Sequence, residues 1–194
     1  MVVGASIVVR VLAGMAGVLF AAQAPAAADE ALRASGGCRT GVPQRPYQLR
    51  GDDGQLRVAG AFNDGTRTGS FIFWRGNGVR EAHVPYDNGL RNGTVATWYE
   101  GASDREPPQH VEAEWRHGVR EGTTRTWYAD GHSRSQIEYA KGAIVSSAAW
   151  SDAGERLADD AARTLAESDE HAADTAYARL NDLIASHMPN CGQS

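Results

Sequence analysis

Tyr86-Asp87-Asn88-Gly89-Leu90-Arg91-Asn92-Gly93-Thr94-Val95-Ala96-Thr97-Trp98-Tyr99 can be laid directly over Trp115-Arg116-His117-Gly118-Val119-Arg120-Glu121-Gly122-Thr123-Thr124-Arg125-Thr126-Trp127-Tyr128. Both hold an aromatic, a glycine three residues on, a second glycine four residues later, and then Trp-Tyr. The same frame fits Phe62, Gly65, Gly69 and Trp74 upstream. It fits Tyr139 and Gly142 downstream, where Ser146 replaces the second glycine and Trp150 stands near the Trp place. The period is 24 residues, lengthened to 29 between Gly89 and Gly118. A half-copy beginning at Asp53-Gly54 opens the array. Self-similarity at this period marks a repeat architecture.

Each copy carries two turn signals around short strands. Asn63-Asp64-Gly65, Asp87-Asn88-Gly89 and Arg116-His117-Gly118 supply residues that tolerate the left-handed backbone. Gly76-Asn77-Gly78 and Ala129-Asp130-Gly131 form the second turn of their copies. Thr94-Val95-Ala96-Thr97-Trp98-Tyr99 is rich in β-branched and aromatic residues, and Gln136-Ile137-Glu138-Tyr139 alternates polar and apolar. The fold expected is therefore mainly β, a meander of repeated hairpins. A lone hairpin buries too little surface to be stable, so the copies must stack and share their aromatic residues as core. Phe62, Trp74, Tyr86, Trp98, Tyr99, Trp115, Trp127, Tyr128 and Tyr139 form that ladder. They are read as repeat core, with an exposed stacking platform as the alternative. Gly65, Gly69, Gly89, Gly93, Gly118, Gly122 and Gly142 give the turns and leave room for rings on the backbone.

The pattern Tyr-x-x-Gly-x-x-x-Gly-x-x-x-x-Trp-Tyr-x-x-Gly resembles the MORN-repeat variant of bacterial proteins of the YwqK type. Tyr86, Gly89, Gly93, Trp98, Tyr99 and Gly101 match it, then Trp115, Gly118, Gly122, Trp127, Tyr128 and Gly131. The first full copy departs by carrying Arg75 where Tyr would sit. The resemblance covers residues 51–154 and implies a twisted single-layer antiparallel sheet without catalytic residues. Some relatives carry an antitoxin label, which a shared fold does not establish.

Outside the array, residues 1–28 read as a signal peptide: Arg10, an apolar run from Val11 to Ala22, and Ala26-Ala27-Ala28 before Asp29. No stable transmembrane span is expected after its cleavage. Export makes Cys38 and Cys191 an even pair in an oxidising compartment, and hence a disulfide. Residues 29–50 read as an extended lead-in. From residue 155 to 188 the texture is Ala-rich and helical, with apolar stripes that fit one helix or a pair split at an N-cap formed by Ser168-Asp169-Glu170. Residues 189–194 form a tail beginning with Pro189. Residues 152–188 hold nine acidic against three basic residues, whereas residues 29–151 balance at 15 of each. No basic face gathers phosphates, so nucleic acid is not an expected partner.

His83, His110, His117, His132, His171 and His187 lack metal-ligand spacing, so neither a metal nor a cofactor is expected. Glu112/Glu114 and Asp159/Asp160 read as solvated charges. No nucleophile elbow or phosphate-cradling loop occurs, and the chain does not read as an enzyme. The insertion at residues 102–108 lengthens one hairpin loop and is either a recognition loop or neutral. The function expected is an exported, periplasmic or secreted module that binds an unidentified protein partner in the cell envelope. The alternatives are a glycan- or peptidoglycan-binding module, or an immunity protein against a secreted toxin.

Overall fold

The computed structural model describes residues 30–101 and 107–192. The signal-peptide residues and most of the 102–108 insertion lie outside the described residues. Eleven strands form one antiparallel sheet: β1 (Arg33–Arg39), β2 (Val42–Arg50), β3 (Leu56–Asn63), β4 (Thr66–Trp74), β5 (Arg80–Asp87), β6 (Leu90–Arg91), β7 (Gly93–Trp98), β8 (Gln109–Arg116), β9 (Val119–Trp127), β10 (Ser133–Ala140) and β11 (Ala143–Ala149). A single helix, α1 (Asp159–Ala185), follows. The fold is thus the expected hairpin meander with a C-terminal helix.

The turns explain the period. Asp64-Gly65, Asn88-Gly89, His117-Gly118 and Lys141-Gly142 each place both residues at positive φ, for example +47° and +83° at His117-Gly118. This is the two-residue turn whose twist matches that of the flanking strands. Each turn glycine donates its N–H to the preceding hairpin: Gly65 to Pro43, Gly89 to Arg67, Gly118 to Arg91 and Gly142 to Arg120, at 2.8–2.9 Å. The acceptor always lies two residues past the earlier turn glycine, so each copy docks on its predecessor in one fixed register. At the other sheet end, Arg75 Nη2 donates to Trp98 O (2.9 Å), Tyr99 Oη to Trp127 O (2.7 Å) and Tyr128 Oη to Trp150 O (2.9 Å). Arg75, the departure from the repeat pattern, makes the same bond as the tyrosines it replaces.

Residues 29–50 require a correction. They are not only a lead-in: β1 and β2 form a further hairpin of the sheet, turning at Thr40-Gly41, with φ of +50° and +79°. Gly41 lies one period before Gly65, and Arg45, at φ +76°, stands where the second glycine of a copy belongs. The array begins one degraded copy earlier than its aromatic spacing reveals.

Cross-strand partners align in continuous rows. Leu49, Val58, Phe73, Ala82, Thr97, Val111, Thr126, Ser135 and Ala149 are successive partners from β2 to β11. Gln48, Ala59, Ile72, His83, Ala96, Glu112, Arg125, Gln136 and Ala148 form the row beside it, on the opposite face because side chains alternate. The first row belongs to the core, and α1 covers it with Ala162, Ala166, Ala173, Tyr177, Leu180 and Ile184. Among the described residues, no element lies over the second row. At Gly60 the Phe71 ring lies on the backbone, and a Cβ there would sit 2.5 Å from ring carbons.

Of the two readings for residues 155–188, one unbroken helix is the outcome. Ser168-Asp169-Glu170 lies inside it rather than capping a second helix. The Cys38–Cys191 disulfide ties the chain beyond α1 back to β1. No helix among the described residues is long and apolar enough to cross a membrane.

Candidate functional site

Three acidic residues of α1, Asp169, Glu170 and Asp174, face arginines of the sheet. Arg67, Arg91 and Arg120 each follow a turn glycine by two residues and form a ladder on the helix-covered face. Arg67 donates to Asn181 Oδ1 (2.6 Å) and lies over Tyr86, with Cζ 5.2 Å from the ring centre. Arg91 sits between the rings of Trp115 (3.8 Å) and Tyr177 (4.9 Å). Arg120, 5% exposed, bonds Asp174 Oδ1 (2.6 Å) and faces Glu170 at 3.8 Å. Asp169 takes Thr126 Oγ1, Ser135 Oγ and Arg134 Nε, each at 2.9 Å. Burial among these groups pushes the Tyr139 and Tyr177 hydroxyls up to about 12.

A second set of helix-side groups comes from register irregularities. Where Arg50 pairs with Leu56, Trp74 with Arg80, Trp98 with Gln109 and Trp127 with Ser133, one extra residue remains on the second strand. These extra residues are Arg57, Glu81, His110 and Arg134. Such bulges re-aim a side chain, and here they deliver charge to the helix side. Arg57 pairs with Glu30 and Asp53, Glu81 with Arg179, and Arg134 with Asp169. His110 stacks on Tyr99 at 4.3 Å and lines a small cavity of about 80 Å³ with Ala172, Ala173 and Ala176. Burial holds its imidazole below the ordinary value of 6.5. Sequence reading missed this row. Its signal is the third residue after Gly54, Gly78 and Gly131. Glu30, Asp52 and Asp53 gather closely enough to suit a cation, but Glu30 and Asp53 are already engaged by the Arg57 guanidinium, which holds the Asp53 carboxyl below its usual range.

The aromatic ladder therefore divides. Phe62, Tyr86, Trp115 and Tyr139 are buried, between 4% and 7% exposed, and pack in the core. Trp74, Trp98 and Trp127, with Tyr99 and Tyr128, are only half-buried. For the three tryptophans this corrects the core reading: they share strand parity with Ile72, Ala96 and Arg125, so they belong to the face without the helix. Gly69, Gly93 and Gly122 all take positive φ, and the disulfide joins Cys38 to Cys191.

On the helix-free face a groove of about 490 Å³ runs beside Trp98. Ile72 and Ala96 form part of its lining, and His83, Gln109 and Glu112 rim it. The Arg80 guanidinium lies over the Trp98 ring at 4.9 Å. Gln109 Nε2 donates to Glu112 Oε2 (3.3 Å), and Arg125 faces Glu112 Oε1 at 3.5 Å. His83 Nε2 lies 2.9 Å from Ser70 Oγ. Among the described residues no carboxylate orients the other nitrogen of His83, and burial, then Arg80, holds the imidazole below 6.5. The chemistry on offer is an indole edge, small apolar patches and planar hydrogen-bonding groups already braced by one another. Indole and guanidinium groups of this kind are enriched in protein interfaces. Comparison of the sequence with protein-family models and with curated proteins gives no match.

Proposed function

We propose that the chain is an exported, non-catalytic MORN-like hairpin array that binds a protein partner in the cell envelope through the helix-free face of its sheet. The observation that carries this reading is the asymmetry of the two faces. One is sealed by α1, with its arginines matched to Asp169, Glu170, Asp174 and Asn181. The other has no covering element among the described residues and presents half-buried Trp74, Trp98 and Trp127 along a row of small and polar residues. Tryptophan and arginine in a rimmed groove are the groups that dominate protein interfaces. The disulfide supports export to an oxidising compartment.

A photo-crosslinking residue at Ala96, used in the native host, tests the reading. A discrete protein adduct is expected there, absent when the crosslinker is moved to exposed Glu167 on α1, and lost when Trp98→Ala is added. Equal labelling at both positions would refute it. A glycan is the second reading, favoured by the Trp98 groove with Glu112 and Gln109 at its rim. Quenching of Trp98 emission by envelope oligosaccharides, with no protein adduct at Ala96, would replace the first reading by this one.

A further inference from the structure

The three rungs of the arginine ladder are not served alike. Glu170 and Asp174 both go to Arg120, and the Asn181 amide oxygen goes to Arg67. Arg91, the middle rung, is met by the rings of Trp115 and Tyr177. Among the described residues no carboxylate bonds its guanidinium, and its Nη1 is buried without a hydrogen-bond partner. Arg120 Nη1, Trp115 Nε1, Tyr139 Oη and Tyr177 Oη also lack a partner, on side chains only 3–7% exposed. These groups form one cluster. The Arg91 and Arg120 guanidinium carbons lie 3.8 Å and 5.0 Å from the Trp115 ring centre. Arg120 is 5.5 Å from the Tyr139 ring, and Tyr177 is 6.3 Å from Trp115.

All five unpaired groups are donors. Guanidinium and indole nitrogens can only donate, and burial pushes the two tyrosine hydroxyls up to about 12, so both keep their protons. Buried donors without an acceptor are costly, and a native fold rarely leaves several together. Charge points the same way. Burial draws both guanidiniums down; Asp174 lifts Arg120 back above its ordinary value, whereas Arg91 stays below its own. We propose that this cluster binds a small monovalent inorganic anion, chloride or a halide like it, between Arg91 and Arg120. Asp174 and Glu170 engage Nη2 and Nε of Arg120, which leaves its Nη1 for the ion. Groups packed this closely suit a one-atom ion rather than a phosphate or a carboxylate. Water would accept from the same donors but sets no charge against Arg91. Half-buried Arg91 and exposed Asp174 give the ion a way in. Bound there, it ties α1 to β6 as Asn181 ties it to β4 and Asp174 to β9.

Thermal unfolding of the disulfide-intact protein in sodium chloride and in sodium gluconate of equal ionic strength reads the site. An anion held only by the folded chain raises the melting temperature as its concentration grows. A rise of several degrees is expected in chloride and in bromide, and none in gluconate. It should be lost in Arg91→Met and reduced in Tyr177→Phe, each shown to be folded in gluconate by circular dichroism. The exposed Arg116→Met should keep it. Crystals grown in bromide should show an anomalous signal between Arg91 and Arg120. A melting temperature indifferent to exchange of chloride for gluconate would overturn the proposal. So would a chloride effect of undiminished size in both Arg91→Met and Tyr177→Phe, or water in place of bromide at the cluster.

Discussion

Replacing Trp115 and Trp98 by alanine, one at a time, separates the two faces energetically. Trp115 is 7% exposed, with the Arg91 guanidinium 3.8 Å and the Arg120 guanidinium 5.0 Å from its ring. Tyr177 of α1 meets it edge-on at 6.3 Å. Truncating a buried indole costs about 3–5 kcal/mol, and each of the two cations that loses its ring adds at least roughly 0.5–1 kcal/mol, giving about 4–7 kcal/mol in all. Trp98 is half-buried on the uncovered face and carries one cation, Arg80, at 4.9 Å. Its loss should cost about 1–2 kcal/mol by the area it shields and that single contact. A domain has about 5–15 kcal/mol in hand, so Trp115→Ala should leave a barely folded chain and Trp98→Ala a robust one. Urea unfolding with the disulfide intact, followed by circular dichroism and by tryptophan emission, measures both. Equal losses for the two variants would show that the division of the aromatic ladder is wrong.

Asp169→Ala removes the shared acceptor of Thr126, Ser135 and Arg134. It should cost about 3 kcal/mol in urea unfolding, because the Arg134 guanidinium loses its carboxylate under the helix and the Thr126 and Ser135 hydroxyls keep only each other. Gly60→Ala forces a Cβ into the Phe71 ring and should destabilise by about 1–3 kcal/mol, recovered in part by Phe71→Leu. Cys191→Ser opens a loop spanning 153 residues; the chain-entropy estimate for that length is about 5 kcal/mol, an upper bound for the drop read by calorimetry. His110 is held neutral by burial, so the folded chain binds fewer protons than the unfolded chain once pH falls below 6.5. Stability should be full above that pH and decline as pH drops through it, with a shallower decline in His110→Gln.

The turns were readable because a two-residue turn at positive φ needs its glycine, and Gly65, Gly89, Gly118 and Gly142 mark the spacing whatever surrounds them. The first hairpin escaped because its markers are worn. Cys38 stands at the aromatic place and Arg45 at the second glycine, although counting back one period from Gly65 lands on Gly41. Period alone does not say which face of a sheet is covered. Trp98 and Trp115 look equivalent in composition, and only strand parity against Ala113 and Ala96, together with the position of α1, assigns one to each side. Ser168-Asp169-Glu170 fits an N-cap by residue type. Its carboxylates are instead drawn to Arg134, Thr126 and Arg120 across the interface, contacts more than 30 residues away in sequence that no local pattern records.

The helix also works as a gauge. Its 27 residues run about 40 Å at 1.5 Å per residue, and the path of ten strands it crosses measures about 43 Å at 4.8 Å per step. One hairpin copy adds two strands, about 9.6 Å, which corresponds to six or seven helical residues, roughly two turns. A copy gained or lost by recombination would leave each turn bond intact. It would nonetheless slide Asn181, Tyr177 and Asp174 off Arg67, Arg91 and Arg120, and carry Cys191 out of reach of Cys38. Copy number in this array is therefore fixed by the length of its final segment, and the two can change only together.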